Sequence, residues 1–145
     1  EMCIRDRYEI EKMIFNEGLK VEDIPQTWNK MMKDWFGIEV PNDSLGCLQD
    51  IHWSMGAFGY FPTYTLGNLY AAQLLQTMSE ELGDIDEIIK SGDWSSMLDW
   101  LREKIHQKGS VMTPAELIES ATGSPPSPEP FLAYVESKYS KLYNL

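Results

Sequence analysis

The chain has 145 residues, 43% of them hydrophobic and 24% charged, with a formal net charge of −11 and a pI near 4.5. That composition is long and apolar enough for one globular domain with a real core. Its acidity argues against nonspecific nucleic-acid binding, which needs a basic surface to displace counterions. No apolar run approaches the roughly 20 residues of a membrane span. No basic start followed by an apolar stretch marks a signal peptide, and two cysteines, Cys3 and Cys47, make no disulfide framework. A cytoplasmic location is the default expectation.

Residues Glu1 to Arg7 read as the translation of a transposon-end adapter used in preparing sequencing libraries, so residues 1–7 are set aside as a non-native scar. Tyr8 to Glu17 then follows a helical pattern, with Ile10, Met13 and Ile14 on one side and Gly18 at its end. Val21 to Pro25 turns the chain into a second helix, Gln26 to Phe36, whose apolar stripe is Trp28, Met31, Met32, Trp35 and Phe36. Ile38-Glu39-Val40 carries the one brief strand signal, and Pro41 to Ser44 is a loop.

Between Gly46 and Gly67 the periodicity fails. Gly46, Gly56, Gly59, Gly67 and Pro62 are interleaved with polar and aromatic residues. The stretch reads as irregular and buried, and a long buried loop, costly in unpaired backbone groups, is more often functional than decorative. Thr65 is placed as the cap of the next helix, Leu66 to Leu82, in which Leu66, Tyr70, Leu74, Met78 and Leu82 recur every four residues and Gln73 shares nearly the same face. A buried Gln must find partners. A short helix, Asp84 to Lys90, follows. Asp93 caps a helix from Trp94 to Gln107 with Trp94, Met97, Leu98, Leu101 and Ile105 inward, and His106 sits near its C-terminal dipole. Thr113-Pro114-Ala115-Glu116 reads as a capping box opening Pro114 to Ala121. Ser124 to Pro128 is a rigid connector into a last helix, Pro128 to Tyr143. The expected fold class is all-α.

A zinc peptidase of the helical type needs two histidines four apart, with a Glu between them as general base. The chain holds two histidines, His52 and His106, in different segments, so no metal site is expected from this chain alone. A fresh Asp50–His52 dyad would lack a nucleophile. Neither a Gly-x-Ser-x-Gly turn nor a phosphate-binding glycine loop is present. Tyr64, and after it Tyr60, are the candidate chemical groups, because a phenol aimed at a carbonyl oxygen stabilises the negative charge that peptide hydrolysis builds there. Gln49, Asp50, His52 and Trp53 are candidate cleft-lining or supporting residues, with Asp50 placed to fix the His52 tautomer. Each of these also has a plainer reading as hydrogen-bonded or aromatic core.

The run Gly46-Cys47-Leu48-Gln49-Asp50-Ile51-His52-Trp53 resembles the G-x-x-Q-D-x-H-W signature of the M32 metallocarboxypeptidases, the carboxypeptidase Taq group, at every fixed position. Arg7-Tyr8-Glu9-Ile10-Glu11-Lys12, Asn68 to Gln73, Thr113 to Leu117, Ala121-Thr122-Gly123 and Ser127 to Leu132 follow the same family in order. The resemblance implies a helical fold with a deep substrate groove, a cytosolic homodimer, and stepwise removal of C-terminal residues from peptides with a free C-terminus. It also implies zinc or cobalt held by an H-E-x-x-H helix and a downstream Glu. Those ligands, and the arginine that grips the substrate carboxylate, are expected before Tyr8. On this reading residues 8–145 are the C-terminal portion of a catalytic domain, inactive alone. The competing reading is a complete, non-enzymatic helical module that binds a peptide or partner helix through the Trp28, Met31, Met32 and Trp35 stripe.

Overall fold

Helical periodicity becomes helix almost throughout. In a computed structural model the described residues, 3–145 without the Cys3 side chain, form seven α-helices and no strand. Glu1 and Met2, at the start of the stretch read as a scar, lie outside the described residues. The Ile38 to Val40 segment carries no strand assignment among those residues. No helix among them is long and apolar enough to cross a membrane. The chain divides into two compact units, residues 1–65 and 66–145.

In the first unit α1 (Cys3–Lys12) runs on through a π-helical turn, Met13–Glu17, closed by the Leu19 N–H donating to the Met13 carbonyl at 3.0 Å. α2 (Ile24–Phe36) starts two residues earlier than the pattern suggested, because Pro25 fills a first-turn position that needs no N–H donor. Its stripe is only partly internal. Trp28 is fully buried and Met31 and Met32 nearly so, while Trp35 and Phe36 remain exposed. Ile10, Trp28, Met31, Met32 and Cys47 form the core, with Ile14, Leu19, Ile24, Val40 and Trp53 packed around it.

α3 (Pro62–Leu82) begins in the first unit and supplies the first helix of the second. Its start corrects the expectation of a Thr65 cap. Pro62 takes the first helical position and Thr63 Oγ1 donates to the Tyr60 carbonyl at 2.6 Å, so Thr65 lies inside the helix. Leu66 is exposed as a result, and the buried residues of α3 are Gln73 and Met78.

In the second unit Met78, Ile85 and Trp100 are the core, joined by Leu74, Leu82, Ile88, Met97 and Leu101 from α3, α4 (Ile85–Ser91) and α5 (Ser95–Lys104). Three expectations fail here, the first being Leu98, which is 41% exposed rather than inward. Trp94 is 60% exposed rather than inward, since the Asp93 carboxylate accepts from the Ser95 N–H at 3.0 Å and delays the helix past Trp94. Trp100 takes the internal place, its indole N–H held by Glu81 Oε2 at 2.7 Å. His106 lies in a separate 3-10 turn, His106–Lys108, beyond the break at Ile105, so it is not on the last turn of α5. α6 (Pro114–Thr122) opens with the expected capping box, and α7 (Glu129–Tyr143) completes the chain. Gln73 ties the α6–α7 connector down. Its amide nitrogen lies 3.0–3.1 Å from Thr122 Oγ1 and the Ser124 and Pro125 carbonyls, and its oxygen accepts from the Ser127 N–H at 3.0 Å.

Candidate functional site

Residues 46–61, in the first unit, form successive turns rather than regular helix, such as Gln49 N–H to the Gly46 carbonyl and Ala57 N–H to the His52 carbonyl, and they are mostly exposed rather than buried as expected. Gly46 enters the stretch where a Cβ would stand 2.8 Å from Val40 Cγ1 and 3.2 Å from the Asn42 carbonyl, so only glycine fits there. Cys47 follows, buried, with its thiol pushed up from the usual range chiefly by desolvation; it is a packing residue rather than a nucleophile. The chain then passes through a 3-10 turn, Trp53–Met55, to Gly59, which holds a left-handed φ of +73°.

α1 reaches this stretch with Arg7. The Arg7 guanidinium is fully buried, 4.7 Å from the Trp28 ring, 4.9 Å from Trp53 and 5.1 Å from Phe61. Taking a cation out of water costs several kcal/mol. The aromatic faces offset part of that, at about 2 kcal/mol for a desolvated contact. The rest is met by Asp50, whose Oδ2 lies 2.5 Å from Arg7 Nη2, and by the Cys47 carbonyl at 3.4 Å.

Asp50 passes this order to His52. Its Oδ1 accepts from the His52 backbone N–H at 3.1 Å and stands 3.1 Å from His52 Nδ1. A carboxylate there selects the tautomer with hydrogen on Nδ1. Nε2 is left facing the Tyr64 hydroxyl at 3.3 Å. The His52 ring stacks on Tyr60 at 5.5 Å, leans on Phe61 at 4.8 Å, and Tyr60 meets Tyr64 edge to face at 5.2 Å. The Tyr64 phenol is raised above its ordinary value, first by its hydrogen bond with Tyr60, then by desolvation and by the nearby Tyr60 and Asp50. It therefore stays a neutral O–H donor at neutral pH. Ile4, Arg7, Gln49, Asp50, His52, Phe61 and Tyr64 line one open cleft of about 380 Å3.

The arrangement can orient a phenol donor beside a half-buried imidazole. It does not fit a metal. Among the described residues no group of three His, Cys, Asp or Glu side chains could hold one, and the two His52 nitrogens already face Asp50 and Tyr64.

Residues 2–139 match the profile of the family described as Carboxypeptidase Taq (M32) metallopeptidase. The chain belongs to the M32 metallopeptidase family. It is 46% identical over 137 residues to thermostable carboxypeptidase 1 of Thermus thermophilus, covering 94% of this chain and 27% of that protein. Against carboxypeptidase 1 of Bacillus subtilis it is 45% identical over 139 residues, covering 96% of this chain and 28% of the relative. Among solved structures, the crystal structure of the M32 carboxypeptidase from Deinococcus radiodurans R1 superposes with a TM-score of 0.92 at 34% identity, over 98% of this chain and 29% of that one. The structure titled BsuCP gives 0.87 at 44% identity, over 96% and 28%. The chain thus spans little more than a quarter of the length of the M32 relatives it matches.

The signature residues of this M32 segment do not all face one place. Gln49, Asp50, His52 and Tyr64 share the cleft, and Tyr60 joins them by stacking on His52. Trp53 turns the other way. Its ring borders a separate apolar hollow of about 420 Å3 with Ile14, Cys47 and Phe58, and its indole N–H goes to Glu11 at 2.8 Å. Sequence reasoning missed Arg7 and Glu11 as parts of the site. Their spacing of four residues on one helix face, in a motif already matched to the family, was the available signal.

Proposed function

We propose that residues 8–145 are the C-terminal portion of the catalytic domain of a metal-dependent carboxypeptidase, which releases C-terminal amino acids from peptides. The zinc or cobalt of that enzyme would be held by residues preceding this chain, and the 145-residue chain would be inactive alone. The observation that carries the reading is the Arg7–Asp50–His52–Tyr64 series ending at an open cleft, in a chain of a metallopeptidase family. A cytoplasmic homodimer and a free peptide C-terminus as substrate belong to the same proposal.

In this reading Tyr64 donates its O–H to the oxygen that becomes negative as the peptide bond is attacked. His52 sets the direction of that O–H. With hydrogen on Nδ1, Nε2 accepts from the phenol; protonated, His52 would donate to the phenol oxygen and leave the O–H free for substrate. Tyr60 supports the ring of His52 and is the second donor candidate. Tyr64→Phe in the full-length protein is expected to lower kcat by about 100-fold, the scale of losing one donor to the transition state, with bound metal unchanged. An unchanged kcat would remove Tyr64 from the chemistry.

A further inference from the structure

Glu11 is 5% exposed, and neither of its oxygens lines the cleft. Its Oε1 accepts from the Trp53 indole N–H at 2.8 Å and its Oε2 accepts from the Gly59 backbone N–H at 2.9 Å. These two donors bracket the turn that leads from His52 to Tyr60. Four residues before Glu11, on the same face of α1, Arg7 holds Asp50. One helix face therefore grips the irregular stretch at its start through a cation and at its end through an anion.

We propose that Glu11 is a positioning residue for the site, and that Arg7 and Glu11 together clamp the 46–61 stretch so that His52, Tyr60 and Tyr64 converge. The Gly59 N–H precedes the Tyr60 side chain by a single peptide, so its anchor fixes the direction in which Tyr60 and the first turn of α3 leave the loop. Gly59 has φ +73°, a conformation costly for other residues, and its N–H would otherwise lack a fixed acceptor. A carboxylate suits the place because both groups facing it are donors. An amide would set its own N–H2 against one of them.

The kinetic part of the test rests on the carboxypeptidase reading; the spectroscopic part does not. In the 145-residue chain, Glu11→Gln is expected to move the Trp53 indole N–H and Gly59 amide resonances. The Trp100 indole, held by Glu81, should stay in place. In the full-length protein the same change is expected to lower kcat by about 10- to 100-fold, the scale of a reacting group misplaced by about 1 Å. Bound-metal stoichiometry should be unchanged. Trp53→Phe keeps the Gly59 anchor and should give an intermediate loss, so the test survives a Glu11 variant that does not fold. Unmoved Trp53 and Gly59 resonances, or an unchanged kcat in an active full-length enzyme, would overturn the clamp. If the full-length wild type releases no residue at all, the carboxypeptidase reading fails, and the resonances alone decide the clamp.

Discussion

The Asp50 carboxylate bridges a buried cation and a half-buried imidazole: Oδ2 lies 2.5 Å from Arg7 Nη2, and Oδ1 lies 3.1 Å from His52 Nδ1. Arg7 has no exposure of its own, whereas the Asp50 side chain keeps 29%. The pair joins the core under Trp28 to the floor of the cleft, so site geometry and local stability depend on one carboxylate.

Asp50→Asn should accordingly be costly twice. It takes the Asp50 charge away from the enclosed Arg7 guanidinium, and removal of one partner from a buried pair typically costs about 3–5 kcal/mol. The partial exposure of Asp50 places the expected loss at the lower end, about 3 kcal/mol. Chemical denaturation of wild type and variant measures it, and a loss under about 1 kcal/mol would mean that Asp50 contributes little to holding the cation.

Asp6 is the opposite case. It is fully buried, and neither carboxylate oxygen has a hydrogen-bond partner among the described residues. Desolvation raises its pKa above the usual carboxylate value. A folded-state pKa above the unfolded one means that the native state holds the proton more tightly, so stability falls as pH rises from the unfolded value through the folded one. Asp6→Leu is expected to stabilise the 145-residue chain by about 1–3 kcal/mol at pH 7 and by less near pH 4. Equal stabilisation at both pH values would show that the gain is packing rather than charge.

Glu81 should set part of the acid limb. Its carboxylate accepts from the Trp100 indole at 2.7 Å and pairs with Lys104 at 3.0 Å. The indole bond first, then Lys104, lowers its pKa. The depressed value contributes stability above the unfolded glutamate pKa of about 4.3, and that contribution is lost as pH falls through the folded value. Glu81→Gln should flatten the stability profile on the acid side, read from melting temperatures across that range. An unaltered acid slope would assign it to other carboxylates.

Gln73→Ala removes a side chain that serves four groups in and around the α6–α7 connector. The Ser124 and Pro125 carbonyls and the Ser127 N–H lose their shared partner, at an expected cost of about 3 kcal/mol. Hydrogen exchange should locate the change in residues 122–128. Loss spread evenly over the chain would contradict the local role.

The sequence made the helices legible where apolar spacing was regular and caps were explicit, as in α6, whose Thr113–Glu116 box forms as read. It misplaced the start of α3 and both ends of α5. There Pro62 and Asp93 compete with Thr65 and Trp94 for the start, and side-chain bonds settle the choice. The irregular stretch, expected to run to Gly67, ends at Pro62; Asp50, His52, Tyr60 and Tyr64 stand out by residue type and family signature, but their meeting is seen only in the structure. Arg7 and Glu11 are passed over although their spacing is a signal, because Arg7 falls in the stretch set aside and a charged pair on a short helix usually faces water, whereas both are buried.

The most direct test of the account is the rate at which the full-length protein releases C-terminal residues from an N-blocked peptide, before metal removal, after it, and after zinc is restored. The account predicts loss on removal, recovery with zinc, and no release by the 145-residue chain under any of these conditions. Undiminished release after metal removal, or release by the 145-residue chain alone, would contradict it.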